Sequence, residues 1–254
     1  MSTARRGASP LLLPALSLAV MVTALLQTVV VPVLGTIGTA LSASPSSVGW
    51  VVTANLLAAA VLTPVLGRLG DVHGRRPVLL GILTVVAAGS LLAAVTSSLP
   101  LLVLARVLQG ACFGLFPLSI GVVRDELPAD RMTGAMAFVS GMLGVGGGVG
   151  LVLTGVLTNG GGDYHRVFWL SLGVALGALA LAWAVVPSRR HENPGGVDYV
   201  GAAVLGAGLV LLLLPLSKGA QWGWGSPATV GCLVASAVVL RDGWPSSGAW
   251  RRPW

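Results

Sequence analysis

The feature that most constrains this chain is a series of long apolar runs, almost free of charge, that recurs from near the start to residue 240. A helix needs about 20 apolar residues to cross the hydrocarbon of a bilayer, whereas a barrel strand needs about 10. Runs of this length predict transmembrane helices near 12–34, 48–67, 77–96, 99–121, 134–157, 167–187, 198–217 and 226–240. Only 9% of the residues are charged, against about 25% in soluble domains. So few charges could not cover the surface of a soluble fold of 254 residues. The expected class is therefore an all-α integral membrane protein with about eight spans. Arg5 and Arg6 precede the first run as they would in a signal peptide, but that run exceeds a signal peptide's apolar segment and further spans follow it. It is read as a span.

Charge then sets the orientation. With the N-terminus inside, Arg5, Arg6, Arg68, Arg75, Arg76, Arg124, Arg131, Arg189, Arg190, Arg241, Arg251 and Arg252 all fall on the cytoplasmic side. Only Arg166 and Lys218 fall outside. Positive residues hold short loops in the cytoplasm, so the expectation is a multi-pass protein of the cell membrane with a cytoplasmic N-terminus. The same bias accounts for the net charge of +7 without a nucleic-acid partner. Cys112 and Cys232 lie in apolar runs and have no clustered His or Cys beside them, so neither a disulfide framework, a metal nor another cofactor is expected. His73, His165 and His191 are read as isolated loop residues. No carboxylate pair, His cluster or Ser-His-Asp set lies within the spans, which argues against a membrane-embedded enzyme.

The densest charge cluster is "GRLGDVHGRRPVLLG", residues 67–81. It reads as a tight cytoplasmic loop between spans 2 and 3. Gly67 and Gly74 let two helix ends approach and turn, Pro77 suits the first turn of the next helix, and Asp71 stands four residues before Arg75, within pairing distance. With Gly67, Leu69, Asp71, Gly74, Arg75 and Arg76 in place, the stretch resembles the loop 2–3 signature of the major facilitator superfamily, G-x-L-x-D-x-x-G-R-[RK]. A second segment, "LARVLQGACFG", resembles that family's span 4 signature, R-x-x-Q-G. Arg106 is the one ionisable side chain placed deep in a span, a costly position and by default a functional one. The resemblance implies that Arg106 faces a central cavity and takes part in proton coupling, with Gln109 beside it and Gln27 and Asn55 as further polar groups for substrate. A purely structural arginine, bonded to backbone carbonyls or to Gln27 and Gln109, is the alternative.

The third segment, "GMLGVGGGVGLVLTGVL", spaces Gly144 from Gly148 and Gly146 from Gly150 by four, as close helix contact requires. It resembles the family's span 5 antiporter signature, which implies helix packing through Gly144, Gly148, Gly150 and Gly155. Leu151 stands where that signature has proline, and Thr154 where a second glycine is usual. "GVDYVGAAVLGAGLVLLLLPLSKGAQWGW" resembles the seventh span of the fourteen-span drug/proton antiporter (multidrug efflux) branch. In that branch span 1 carries an aspartate and an asparagine, for which Leu26 and Val31 stand here. No carboxylate remains within the spans, and an arginine keeps its proton over the working range, so the proton carrier is missing or lies elsewhere.

The resemblance implies this organisation: a cytoplasmic N-terminus at 1–11, a six-span bundle at 12–187, a cytoplasmic linker at 188–197, two extra spans at 198–240 and an aberrant or cytoplasmic tail at 241–254. A second six-span bundle is expected in this branch. "RDGWPSSGAWRRPW" does not continue the apolar pattern, so a C-terminally truncated or frameshifted chain is expected. The expected function is proton-coupled efflux of lipophilic or cationic small molecules, with protons and the bilayer as the other partners. The alternative is a non-transporting membrane fragment or half-transporter that acts as an assembly partner.

Overall fold

The structure, a computed structural model, describes residues 9–158, 163–188 and 199–242. The flanking arginines at 5, 6, 189, 190, 251 and 252, together with His191, Glu192, Asp198 and the tail from residue 243, lie outside the described residues. All regular structure in the described residues is helical. In chain order the α-helices are α1 (Leu12–Thr28), α2 (Leu34–Ala40), α3 (Pro45–Val48), α4 (Trp50–His73), α5 (Arg75–Val95), α6 (Leu99–Gln109), α7 (Leu115–Glu126), α8 (Ala129–Thr158), α9 (His165–Val185), α10 (Tyr199–Trp222) and α11 (Pro227–Asp242). Short 3-10 segments join α1 to α2 at Val31–Val33 and α6 to α7 at Gly110–Gly114.

Among the described residues, seven helical segments are long and apolar enough to cross a membrane. The fold is thus the all-α membrane class the apolar runs predict, with one difference. The run at 226–240 folds as α11, whose 16 residues fall short of the about 20 that a span needs. Several helices also outrun their apolar stretches. α4 continues through Gly67, Asp71 and His73, so most of the expected loop 67–76 is helix, and Gly74 alone separates α4 from α5. Gly74 adopts φ 94°, a conformation that costs side-chain-bearing residues and not glycine, and the chain reverses there. Gly67 makes no close approach: a Cβ added to it would meet nothing within 4 Å. Its expected part in the turn is corrected accordingly. Lys218, read as lying outside the membrane, sits within α10 and is buried.

The chain divides into two compact units, Met1–Gly196 and Val197–Trp254. In the first unit α1 packs on α8 and α9, α5 on α6 and α9, and α4 on α6 and the 3-10 segment that follows it. Two apolar clusters fill it. One includes Leu16, Leu79, Leu83, Leu115 and Ala175. The other includes Val29, Ile37, Leu102, Tyr164 and Phe168. The second unit is a helical hairpin of α10 and α11, in which Ser236 Oγ donates to Gly208 O at 2.9 Å.

Candidate functional site

Two glycines determine where polar side chains meet inside the first unit. A Cβ on Gly110 would stand 2.8 Å from Asn55 O and 2.7 Å from Ala58 Cβ. A Cβ on Gly89 would stand 2.9 Å from Ala105 O. Real Cβ atoms do not approach so closely, so glycine at these crossings lets α4 and α5 press against α6 and the 3-10 segment after it. That proximity brings four helices to one arginine.

Arg106 is 1% exposed. Its Nε donates to Val51 O at 3.1 Å, and its Nη1 to Leu26 O at 3.2 Å and to Gln109 Oε1 at 2.7 Å. Gln109 Nε2 passes the chain on to Ser90 Oγ at 2.9 Å. On the other side Asn55 Nδ2 donates to the Arg106 carbonyl at 2.9 Å, and Gln27 Nε2 donates to Asn55 Oδ1 at 2.6 Å. Asn55, Gln109 and Ser90 are fully buried and Gln27 is half-buried. The structure therefore joins Arg106, Gln109, Gln27 and Asn55 in one hydrogen-bonded network. Its backbone-carbonyl contacts and the Gln109 contact are those of a structurally anchored arginine. Ser90 and Gly89 belong to the site too, and the sequence reading missed them. A serine beside a glycine within an apolar run was the available signal.

The network also fixes the amide orientations. The Arg106 carbonyl can only accept, so Nδ2 of Asn55 must face it and Oδ1 must face Gln27. Gln27 therefore turns its Nε2 inward and its own carbonyl oxygen away.

Charges cluster at the α4–α5 end. Arg75 pairs with Asp71 at 3.6 Å and with Asp125, and its Nη1 donates to Gly121 O at 2.7 Å. The expected Asp71–Arg75 pair is present, and Asp125 of α7 is a second partner. Arg76 Nη2 donates to Trp183 O at 2.8 Å and ties the start of α5 to the end of α9. A cleft of about 470 Å³ beside these groups is lined by Gly67, Asp71, Arg75, Phe116 and Arg124. An apolar cleft of about 440 Å³ lies between α2 and α3, lined by Leu34, Gly38, Ala43 and Val48. Neither cleft contains a residue of the Arg106 network.

The α8 glycines divide between two faces. A Cβ on Gly146 would lie 2.8 Å from Met21 O, and one on Gly150 would collide with Thr28. Both glycines let α8 close on α1, and Thr154 Oγ1 donates to Gly150 O at 2.8 Å on the same packed side. Gly144, Gly148 and Gly155 meet nothing within 4 Å. Among the described residues no neighbour packs on them. Successive helical residues turn by about 100°, which puts these three on the face opposite Gly146 and Gly150.

His165 is not isolated. Its Nδ1 lies 2.5 Å from Asp163 Oδ1 and its Nε2 lies 3.0 Å from Thr96 O, and Tyr164 stacks on its ring. The backbone N–H of His165, which donates to Asp163, holds that carboxyl below the usual carboxylate range, with the imidazole adding to the effect. His73 is the last residue of α4. Cys112 and Cys232 are free thiols, and among the described residues no three His, Cys, Asp or Glu side chains converge as metal ligands would.

Comparison with known proteins follows the same lines. The family model described as Major Facilitator Superfamily matches residues 16–241. An uncharacterized transporter of that superfamily from Mycobacterium tuberculosis is 34% identical over 251 residues, covering 94% of this chain and 36% of the relative. The tetracenomycin C resistance and export protein of Streptomyces glaucescens is 32% identical, covering 89% of this chain and 42% of its own length. The cephamycin export protein of Amycolatopsis lactamdurans is 34% identical, covering 78% and 41%. This chain thus spans less than half the length of these relatives. Among solved structures, the human organic anion transporter MFSD10 superposes with a TM-score of 0.57 over 92% of this chain and 71% of that one. At 18% identity the likeness is one of fold.

Proposed function

The chain belongs to the major facilitator superfamily, and from that premise we propose that it supplies one wall of the substrate path of an export transporter for lipophilic small molecules. The observation that carries this reading is the buried network of Arg106, Gln109, Asn55, Gln27 and Ser90. A buried charge without a carboxylate partner is expensive in lipid and is kept where it acts. The curated relatives named for export and resistance support the direction of transport.

On this reading the N-terminus is cytoplasmic and Asp71, Arg75 and Arg76 form a cytoplasmic latch against the opposing half. That half is a second bundle, carried by a longer chain or by a partner. The carboxylates within the described spans, Asp71, Asp125, Glu126 and Asp130, stand at helix ends and none pairs with Arg106, so on this reading the coupling proton is carried by the opposing bundle. Arg106 acts through its field on the group that carries it. The test is flux in sealed vesicles carrying the protein. Accumulation of a lipophilic fluorescent dye should rise above that of empty vesicles, respond to an imposed pH gradient and fall at least tenfold in Asn55→Leu, about the cost of one lost buried hydrogen-bonding group. Equal accumulation with and without the protein would leave the non-transporting reading standing.

A further inference from the structure

Arg106 carries five N–H groups, and three of them are used: Nε on Val51 O, and Nη1 on Leu26 O and Gln109 Oε1. Nη2 donates to no group among the described residues. The fully buried polar atoms that lack a partner are Ser17 Oγ, Arg76 Nε and Ser119 Oγ. Nη2 is not among them, so the little exposure that Arg106 retains reaches this amine. The guanidinium is thus held through Nε and Nη1, and Nη2 is left without a partner among the described residues.

Its charge is also uncompensated. No carboxylate pairs with Arg106 among the described residues: Asp71 and Asp125 pair with Arg75, Asp130 with Arg131 and Asp163 with His165, and Asp71, Asp125, Glu126, Asp130 and Asp163 lie at helix ends. A fixed positive charge in low dielectric repels cations and attracts anions with little screening. The two N–H groups left on Nη2 are charged donors suited to an anionic oxygen.

We propose that the ligand recognised at this wall is an amphiphile bearing an acidic oxygen group, with that group on Arg106 Nη2 and its lipophilic body along the apolar span faces. The proposal rests on the cavity reading above and narrows it: cationic substrates, which the sequence admitted, are disfavoured. Gln27, whose carbonyl oxygen points away from the network, accepts a hydrogen bond from a hydroxyl or amide elsewhere on the same ligand.

The experiment uses the chain in nanodiscs of zwitterionic phosphatidylcholine and three matched probes: pyrenebutyrate, pyrenebutanol and pyrenebutylammonium. Binding is read as energy transfer from the tryptophans, against empty nanodiscs at equal lipid. The butyrate should bind about tenfold more tightly than the alcohol, and the ammonium more weakly than the alcohol. Arg106→Gln should erase the butyrate's advantage and Arg106→Lys should retain part of it. Arg131→Gln, which changes an exposed arginine, should leave it intact. If Arg106→Gln does not fold, the ordering in the unmodified chain decides. An ammonium that binds as tightly as the butyrate and is lost in Asn55→Leu would overturn the anionic assignment and leave the cavity reading in place. A butyrate preference that survives in folded Arg106→Gln would overturn it as well. If none of the three probes exceeds the empty discs, both readings fall together.

Discussion

Asn55 holds the network at its narrowest point, donating to the Arg106 carbonyl while accepting from Gln27. Asn55→Leu strips partners from two groups at once, one of them fully buried, and should destabilise the chain by about 1–3 kcal/mol. Gln27→Leu, at a half-buried site, should cost less. Denaturant unfolding of the two variants in one detergent checks the order. Arg106, Gln109, Gln27 and Asn55 were legible because polar side chains in apolar runs are rare and costly. Ser90 was not, since a serine in a span commonly bonds its own backbone and nothing in the sequence shows that Gly89 brings it to Gln109. Asp163 gives a second prediction. Its carboxyl is held below the ordinary range, so its contribution is in place above about pH 4 and fades as pH falls through the depressed value. Amide protection in the first turn of α9, measured relative to the intrinsic exchange rate at each pH, should fall on acidification in the unmodified chain. In Asp163→Asn that acid response should be absent. An identical response in both would show that Asp163 does not hold this turn.

At the scale of elements, α8 offers the sharpest contrast. Gly146 and Gly150 are in contact with α1, and Gly144 and Gly148 are open. Gly146→Val should destabilise by about 1–3 kcal/mol through overpacking against Met21, and Gly144→Val should leave the melting temperature nearly unchanged. Thermal unfolding of both tests the assignment of faces. The sequence shows glycines four apart on both sides of this helix, and periodicity alone cannot say which side meets a neighbour. The turn after α4 was partly legible for a related reason. Glycine and charge marked the reversal near residues 67–76, but they could not show that the helix persists to His73. The i to i+4 pairing of Asp71 with Arg75 was readable from spacing, whereas Asp125 arrives from α7, distant in sequence.

For the whole molecule, the apolar runs dictated the class because in lipid every backbone group must be satisfied within the span. The last run is also helical, as α11, with 16 described residues, and the runs carried no information on how the two units are each built. Large apolar side chains such as Val95, Val156 and Trp183 stand well exposed on the first unit. In water such flanks would drive aggregation. In a bilayer they meet acyl chains, so the molecule's outer surface and its polar interior answer to different solvents. That contrast provides the most direct test of the central claim that the Arg106 network lines a substrate path. In a background with Cys112→Ala and Cys232→Ala, single cysteines are placed by Gln27→Cys on the network and by Val85→Cys on the exposed apolar side of α5. Sealed vesicles are then treated with a membrane-impermeant maleimide. Labelling should be rapid after Gln27→Cys, slowed by pyrenebutyrate, and almost absent after Val85→Cys. Equal and negligible labelling at both positions would mean that the network is buried scaffolding and that water and substrate do not reach it.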